Sequence, residues 1–316
     1  MDTPEPLLIS RRELASLMDL DAYYRAVESA FRAHAEGRAT VPMPLHIAVE
    51  GGGFHAKGAF IDAGPEERFA AVKVNSNFPG NPARGLPTIQ GAVLLYDAND
   101  GRLLAILDSA EITSKRTAAA GAVAARQLAR RDSRTIGICG CGEQGRAQLA
   151  AIARVLPIER AWAWDADFAG AERFAKEMSK SLRFEVTAVR EIADANVIVT
   201  ATSAREPFLR TVSPGTFLAA IGADNPLKSE IHPDLMASAK VVTDLTSQAI
   251  AMGDLHHAPG VAVHAELGEI LAGRKPGRES DAEIIVFDST GVAIQDVAAA
   301  ACAYQRAVGA RSICMA

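Results

Sequence analysis

Apolar positions along the 316-residue chain follow one grammar before an alanine-rich stretch, residues 113–130, and another after it. Near the start, Ser10-Arg11-Arg12-Glu13 has the Ser-x-x-Glu spacing of a capping box, and Tyr24, Val27 and Phe31 recur at helical spacing within 21–36 before Gly37. This predicts two N-terminal helices. Five β-like runs follow at 45–49, 54–61, 69–74, 89–96 and 103–107, divided by Gly51-Gly52-Gly53, Ala63-Gly64-Pro65 and Asn99-Asp100-Gly101. Consecutive strands joined by tight turns predict an antiparallel sheet. The alanine-rich stretch reads as a helix. Beyond it, strand candidates at 135–139, 160–165, 184–188, 196–200, 216–221, 240–243 and 284–287 alternate with helical segments, the pattern of right-handed crossovers and a parallel sheet. A last helix, 292–307, is free to return to the first domain. The expected fold is therefore α/β: a Rossmann-type doubly wound parallel sheet over 116–290, plus an α+β domain with an antiparallel sheet over 1–115, joined by the C-terminal segment 291–316.

Composition narrows the function classes. The chain is 49% hydrophobic and 22% charged with a formal net charge of −5, which offers nothing to a polyanion. Nucleic acid and membrane partners are not expected. The opening MDTPEPLLISRRE lacks the basic-then-apolar order of a secretory signal, and the apolar segment 292–303 is broken by Gln295 and Asp296, so a cytoplasmic protein is expected. Cys139, Cys141, Cys302 and Cys314 show no C-x-x-C spacing, and the seven histidines include only the loose group His256, His257 and His264, so no metal is expected.

The stretch "TIGICGCGEQG" places Gly140, Gly142 and Gly145 in G-x-G-x-x-G spacing. A β-branched strand precedes them, a helix follows from Gln144, and Asp165 closes the next strand at the distance where a dinucleotide fold holds its ribose hydroxyls. Gly140 permits the turn, Gly142 the approach of the pyrophosphate, and Gly145 the packing of the helix on the sheet. An acid at 165 repels a 2′-phosphate, so NAD is expected over NADP. Asp167 is a second acid for the ribose, while Arg173 lies too far into the helix to clamp a phosphate.

Other polar residues stand where the bare fold does not require them. Lys73 interrupts the run Ala71, Val72, Val74 and Arg116 opens the alanine-rich helix; taken singly, such cations are ordinarily solvated. Asp224 follows the strand at 216–221 through Gly222, at the carboxyl edge where doubly wound folds bind ligands, which makes it the leading acid-base candidate.

Six stretches in order, "GLPTIQG", "TSKRTAAAGAVAA", "GCGEQG", "IGADNPLKSEI", "HAELGEILAGRKPGR" and "FDSTGVAIQDVAAA", resemble the ornithine cyclodeaminase/mu-crystallin family, which includes archaeal-type alanine dehydrogenases. The resemblance runs from about Lys73 to Ala307. It implies that Lys73 and Arg116 hold a substrate carboxylate, that Asp224 is the acid-base group at the reacting nitrogen, that Thr88 lies near the nicotinamide, and that the first domain binds substrate and pairs across a homodimer. The dinucleotide set expected in this chain is Gly140, Gly142, Glu143, Gln144, Gly145, Asp165, Thr202, Ser203 and Gly222, with Thr88 and Arg116. Many members carry an early-strand arginine in "P-x-R"; this chain reads "VPMPLHI" and then "FHAKGAF". Lys57 either replaces that arginine, sharing a strand face with His55, or points to solvent.

The resulting expectation is an NAD-dependent oxidoreductase, a dehydrogenase or ketimine reductase, that passes hydride at the α-carbon of a small amino or cyclic imino acid. Two alternatives stay open: a redox-neutral ornithine cyclodeaminase that releases ammonia and forms proline, and a non-catalytic nucleotide- and ligand-binding protein.

Overall fold

The computed structural model describes residues 5–64, 67–192 and 194–314, with side chains as far as Ala310. Pro65 of the second turn signal, the Cys314 side chain and the first four residues lie outside this description. The chain forms two compact units, one of residues up to Arg116 together with those from Val292 onward, the other Thr117–Gly291.

In the first unit, Ser10 caps α1 (Arg11–Leu17) and completes the capping box with Glu13, and Asp19 caps α2 (Leu20–Ala35). Among the described residues the sheet has seven strands: β1 (Leu7–Ile9), β2 (Ala39–Thr40), β3 (Leu45–Val49), β4 (Gly52–Asp62), β5 (Arg68–Asn77), β6 (Ile89–Asp97) and β7 (Leu103–Asp108). Their order is β1-β7-β6-β5-β4-β2, with β3 also paired to β4. The ladder is not purely antiparallel as the tight turns predicted, because β1 adds to β7 in parallel. Strands of three and two residues, β1 and β2, are too short to show a period. The longer strands do alternate. Ala59, Ile61, Ala71, Val93 and Leu95 are buried on an inner face, against which the last helix, α9 (Ala293–Cys314), packs together with α2. On the outer face Leu45, Ile47, Val49, Phe54, Val72 and Val74 stay 37–59% exposed.

The unit boundary falls inside α3 (Ser109–Leu128), which begins earlier than expected because the Asp108 carboxylate accepts from the Glu111 N–H and caps it. In the second unit, β8 (Thr135–Cys139), β9 (Arg160–Trp164), β10 (Glu185–Ala188), β11 (Val197–Thr200), β12 (Phe217–Ala220), β13 (Lys240–Thr243), β14 (Val263–Glu266) and β15 (Ile285–Asp288) form an all-parallel sheet in the order β10-β9-β8-β11-β12-β15-β13-β14. Helices α4 (Glu143–Val155), α5 (Phe168–Leu182), α6 (Pro233–Ser238), α7 (Thr246–Met252) and α8 (Leu267–Leu271) belong to its connections. Every residue of β11, β12 and β15 is buried, which is why they read as unbroken apolar runs. Strand β14, "VHAE", has no such run, and its alternation of apolar and polar residues covers only four positions, too few to mark it in the sequence. The strand order reverses at β8, so the loop after β8 lies at the topological switch point, where open α/β sheets bind ligands.

Candidate active site

The first unit collects its polar residues on the inner face of the sheet. Alternation along β5 puts Lys73 there, only 4% exposed, and α3 contributes Arg116 at 3%. Neither is the solvated cation that each resembles singly. Lys73 Nζ lies 3.0 and 2.9 Å from the two carboxylate oxygens of Asp296 and donates to Thr113 Oγ1 at 3.2 Å. Arg116 donates from Nε to Asp296 Oδ1 at 2.9 Å and from Nη1 to Gln295 Oε1 at 2.8 Å. Asp296 stands in the first turn of α9, where the helix dipole favours an anion. The one sequence signal of Gln295 and Asp296 is two polar residues breaking an apolar helix, which carries no role by itself.

Burial, then the Arg116 guanidinium, push the Lys73 ammonium down from 10.5 to about 7, with Asp296 pulling the other way. Burial alone raises a carboxyl, yet Arg116 and Lys73 hold Asp296 below its ordinary value. Lys57 pairs with Lys73 in the β4–β5 ladder, so their side chains share the inner face, and its charge acts on both Lys73 and Asp296. It is half-buried rather than pointing to solvent. Thr88, half-buried just before β6, accepts the Phe78 N–H on its carbonyl at 2.9 Å.

In the second unit the glycine loop is built as its spacing suggested. Gly140 takes φ +103°, a left-handed value that suits glycine, and a Cβ there would collide with the Ala201 carbonyl. A Cβ at Gly145 would collide with the Gly140 carbonyl, so that glycine lets α4 start tight against the loop. At Gly142 a Cβ would meet nothing within 4 Å, and this N-cap residue offers no side chain to the first-turn N–H groups of α4. Donors of that kind, beside open space, fit a phosphate. Glu143 is exposed and Gln144 half-buried in the same turn. Asp165 Oδ2 accepts from Cys141 N at 2.8 Å and Oδ1 from Asp167 N at 2.9 Å, which sets a negative charge against the loop. Asp167 caps α5 and binds Arg173 at 3.1 Å. Arg146, unremarked in the sequence, donates to the carbonyls of Cys141 and Gly142 and braces the loop.

The remaining candidates sit on the loops after β11 and β12. Ser203 is exposed. Asp224 is exposed and pairs with Lys228 at 2.8 Å. Between these loops lies Glu230, fully buried, which sequence reading missed inside "KSEI". It accepts from Thr202 N and Oγ1, both at 2.6 Å, and from Gly222 N at 2.9 Å. A Cβ at Gly222 would meet its carboxylate at 2.5 Å, so that glycine admits Glu230. Behind it, Asp254 accepts from the Glu230 and Ile231 N–H groups, and Asp288 from those of Asp254 and Leu255. Burial, then Asp254, push the Glu230 carboxyl up from 4.5 to about 7, and burial raises Asp254 and Asp288 too.

The residue set fits a family. A model of the ornithine cyclodeaminase/mu-crystallin family matches residues 5–311. The chain belongs to that family. It is 39% identical to an alanine dehydrogenase of Archaeoglobus fulgidus over 313 residues, 96% of each chain. Among solved structures it resembles an archaeal alanine dehydrogenase dimer with bound NAD, with TM-score 0.91 and 38% identity over 97% of each chain. It also resembles the Thermococcus litoralis Δ1-pyrroline-2-carboxylate reductase in complex with NADH and L-proline, with TM-score 0.90 and 35% identity over 96% of this chain and 98% of that one.

The two buried titrating groups predict opposite limbs in stability against pH. Lys73 keeps its proton to 10.5 when unfolded but only to about 7 when folded, so from 7 to 10.5 the unfolded chain binds more protons and stability rises with pH. Glu230 is the reverse: its folded form holds a proton from 4.5 to about 7 that the unfolded form has lost, so its contribution falls as pH rises through that window. Denaturant melts of Lys73→Met and Glu230→Gln against the parent are expected to flatten the alkaline and the acid limb respectively.

Proposed function

We propose that the protein is an NAD-dependent oxidoreductase of small amino and imino acids. The observation that carries the reading is the Lys73–Arg116 pair: two buried cations share one carboxylate, Asp296, and leave positive charge for a substrate carboxylate. Lys73 and Arg116 fix that carboxylate and so orient the α-carbon. Asp224, on a loop at the carboxyl edge of the parallel sheet and tethered by Lys228, moves the proton at the substrate nitrogen. A bound nicotinamide cofactor would supply or accept the hydride exchanged at the α-carbon. Gly140, Gly142, Glu143, Gln144 and Gly145 would hold the pyrophosphate at the start of α4, Asp165 the adenosine ribose, and Thr202, Ser203 and Gly222 the nicotinamide half; Thr88 and Arg116 are assigned to the cofactor as well. The first unit is the substrate-binding part and Thr117–Gly291 the dinucleotide-binding part. Among the described residues no helix is long and apolar enough to cross a membrane. Among the described residues Cys139, Cys141 and Cys302 are free thiols, which suits the reducing cytoplasm we assign.

A panel of alanine, proline, ornithine, and pyruvate with ammonium, followed by NADH absorbance and by ammonia release, tests the reading. NADH change that tracks substrate turnover supports it; ammonia release with no net NADH change identifies a cyclodeaminase instead. In the same assay Asp224→Asn is expected to lower kcat by about 10²–10⁴-fold while the NADH dissociation constant barely moves.

Asp165 sets the cofactor preference. Titrations are expected to give tighter binding of NADH than NADPH, and Asp165→Ser is expected to narrow the gap; a parent that prefers NADPH contradicts the assignment.

The assembly we propose is a homodimer through the outer face of the first unit's sheet. Leu45, Ile47, Phe54, Val72 and Val74 are in register across β3, β4 and β5, an apolar patch of a kind that monomers rarely leave open. Light scattering is expected to report a dimer for the parent, and Val72→Lys with Val74→Lys to shift it toward monomer.

A further inference from the structure

The loop after β12 is closed on itself by a side chain. It runs from Gly222 to Glu230 and carries Asp224, and the Glu230 Oε2 at its end accepts the Gly222 N–H at its start, at 2.9 Å. Lys228 braces it between, because its Nζ donates to the Gly222 carbonyl at 3.1 Å and to Asp224 Oδ1 at 2.8 Å. Both main-chain polar groups of Gly222 are thus fixed by side chains of its own loop. The same segment holds the loop after β11: Glu230 Oε1 accepts Thr202 N and Oγ1, both at 2.6 Å, the Glu230 carbonyl accepts the Phe208 and Leu209 N–H groups at 3.0 Å, and the Ser229 N–H donates to the Ala204 carbonyl at 3.1 Å. One carboxylate therefore ties the start of each loop, Thr202 and Gly222, to the other.

These partners are donors. Thr202 Oγ1 already accepts the Ala204 N–H at 3.1 Å, so its own hydrogen is directed at Glu230. Such a set suits the ionised carboxylate, and a proton on either oxygen displaces a donor. The surroundings oppose the charge. Glu230 is fully buried, Asp254 accepts its N–H at 2.7 Å, and Asp288 in turn accepts the Asp254 N–H. The buried Cys139 thiol of β8 also feels the Glu230 charge, and His257, whose ring bonds the Lys228 carbonyl at 2.9 Å, acts on Asp254. With its carboxyl pushed up to about 7 by burial and then by Asp254, Glu230 populates both forms near neutrality. The fit leaves no slack, since even a Cβ at Gly222 would meet the carboxylate at 2.5 Å.

We infer that Glu230 is a positioning residue: its ionised carboxylate holds the Asp224 loop and the Thr202 loop at one separation, and its protonation releases them, so that the nicotinamide half of the site is assembled in the ionised form. The inference rests on the proposed dinucleotide site and adds to it a residue that acts through Thr202 and Gly222.

The test compares the dissociation constants of NADH and of ADP-ribose, which has the same pyrophosphate and riboses but no nicotinamide, by titration calorimetry at a series of pH values on either side of 7, in the parent, Glu230→Gln and Thr202→Val. In the parent the preference for NADH over ADP-ribose is expected to grow roughly tenfold as pH rises through that range, the size of one charge-assisted contact. Glu230→Gln is nearly isosteric but turns an amide donor toward one of its donors and does not titrate, so its preference is expected to stay at the parent's low-pH value throughout. Thr202→Val takes a donor from the ionised form, so the midpoint is expected to move to higher pH, which a merely structural glutamate would not do. Lys73 titrates in the same range, and its share is whatever pH dependence persists in Glu230→Gln. A parent preference independent of pH, a pH dependence unchanged in Glu230→Gln, or a midpoint that Thr202→Val leaves in place overturns the inference. Amide hydrogen exchange of the ligand-free chain, corrected for intrinsic rates, reads the same grip. Peptides containing Thr202 and Gly222 are expected to be less protected below 7 than above it in the parent, and at the lower level at every pH in Glu230→Gln. If NADH does not bind, the functional reading fails and exchange decides: protection that follows Glu230 sustains the positioning role, and protection equal in parent and variant ends it. Circular dichroism confirms folding, and if Glu230→Gln does not fold, the parent's profile and the Thr202→Val midpoint decide.

Discussion

The first unit depends on one buried carboxylate. Asp296 is desolvated together with Lys73 and Arg116, and neither cation has water to fall back on. Isolated burial of such charges is costly, so breaking one partner of a buried pair costs about 3–5 kcal/mol, whereas the intact set is tolerable because each charge faces its counterpart at hydrogen-bond distance. The geometry that satisfies Asp296 also ties α9 and α3 to β5. The C-terminal helix is thereby anchored to the sheet by charge as well as by its apolar face. Two cations to one anion is the asymmetry on which the proposed substrate site rests.

The second unit uses buried acids differently. Glu230, Asp254 and Asp288 accept mainly from main-chain N–H groups, and Asp244 likewise accepts from Leu245 and Gly291. A carboxylate that gathers several backbone donors fixes where a loop leaves its strand, and here the loops so held follow β11, β12 and β15 at the carboxyl edge of the sheet. Gly222 and Gly253 are the counterpart in the chain, since a Cβ at either would meet the Glu230 or Asp288 carboxylate at 2.5 Å. The loops proposed to line the cofactor are thus positioned by buried acids.

Much of this organisation is written in local patterns. The capping box at Ser10, the strand–glycine–helix succession around Gly140 and the alternation along β4 and β5 depend on neighbours within a few residues, and the structure follows them closely. The unbroken apolar runs of the parallel strands are equally legible, because burial on both faces demands them. Where no such demand acts, as in two-residue β2 or the partly buried β14, the signal is too short to stand out.

The sequence by itself determined the two grammars of the fold, the glycine loop and the positions of Lys73, Arg116 and Asp224 in their elements, because periodicity and turn chemistry are local. Tertiary structure alone decided what those residues face. Lys73 and Arg116 read as ordinary solvated cations until α9 brings Asp296, 223 and 180 residues later in the chain, against them. Glu230 has no mark of its own in the sequence, and three backbone and hydroxyl donors from two separate loops converge on it only in the fold. The charge state of a side chain depends on desolvation and on partners distant in sequence, and neither is carried by the spacing of its neighbours.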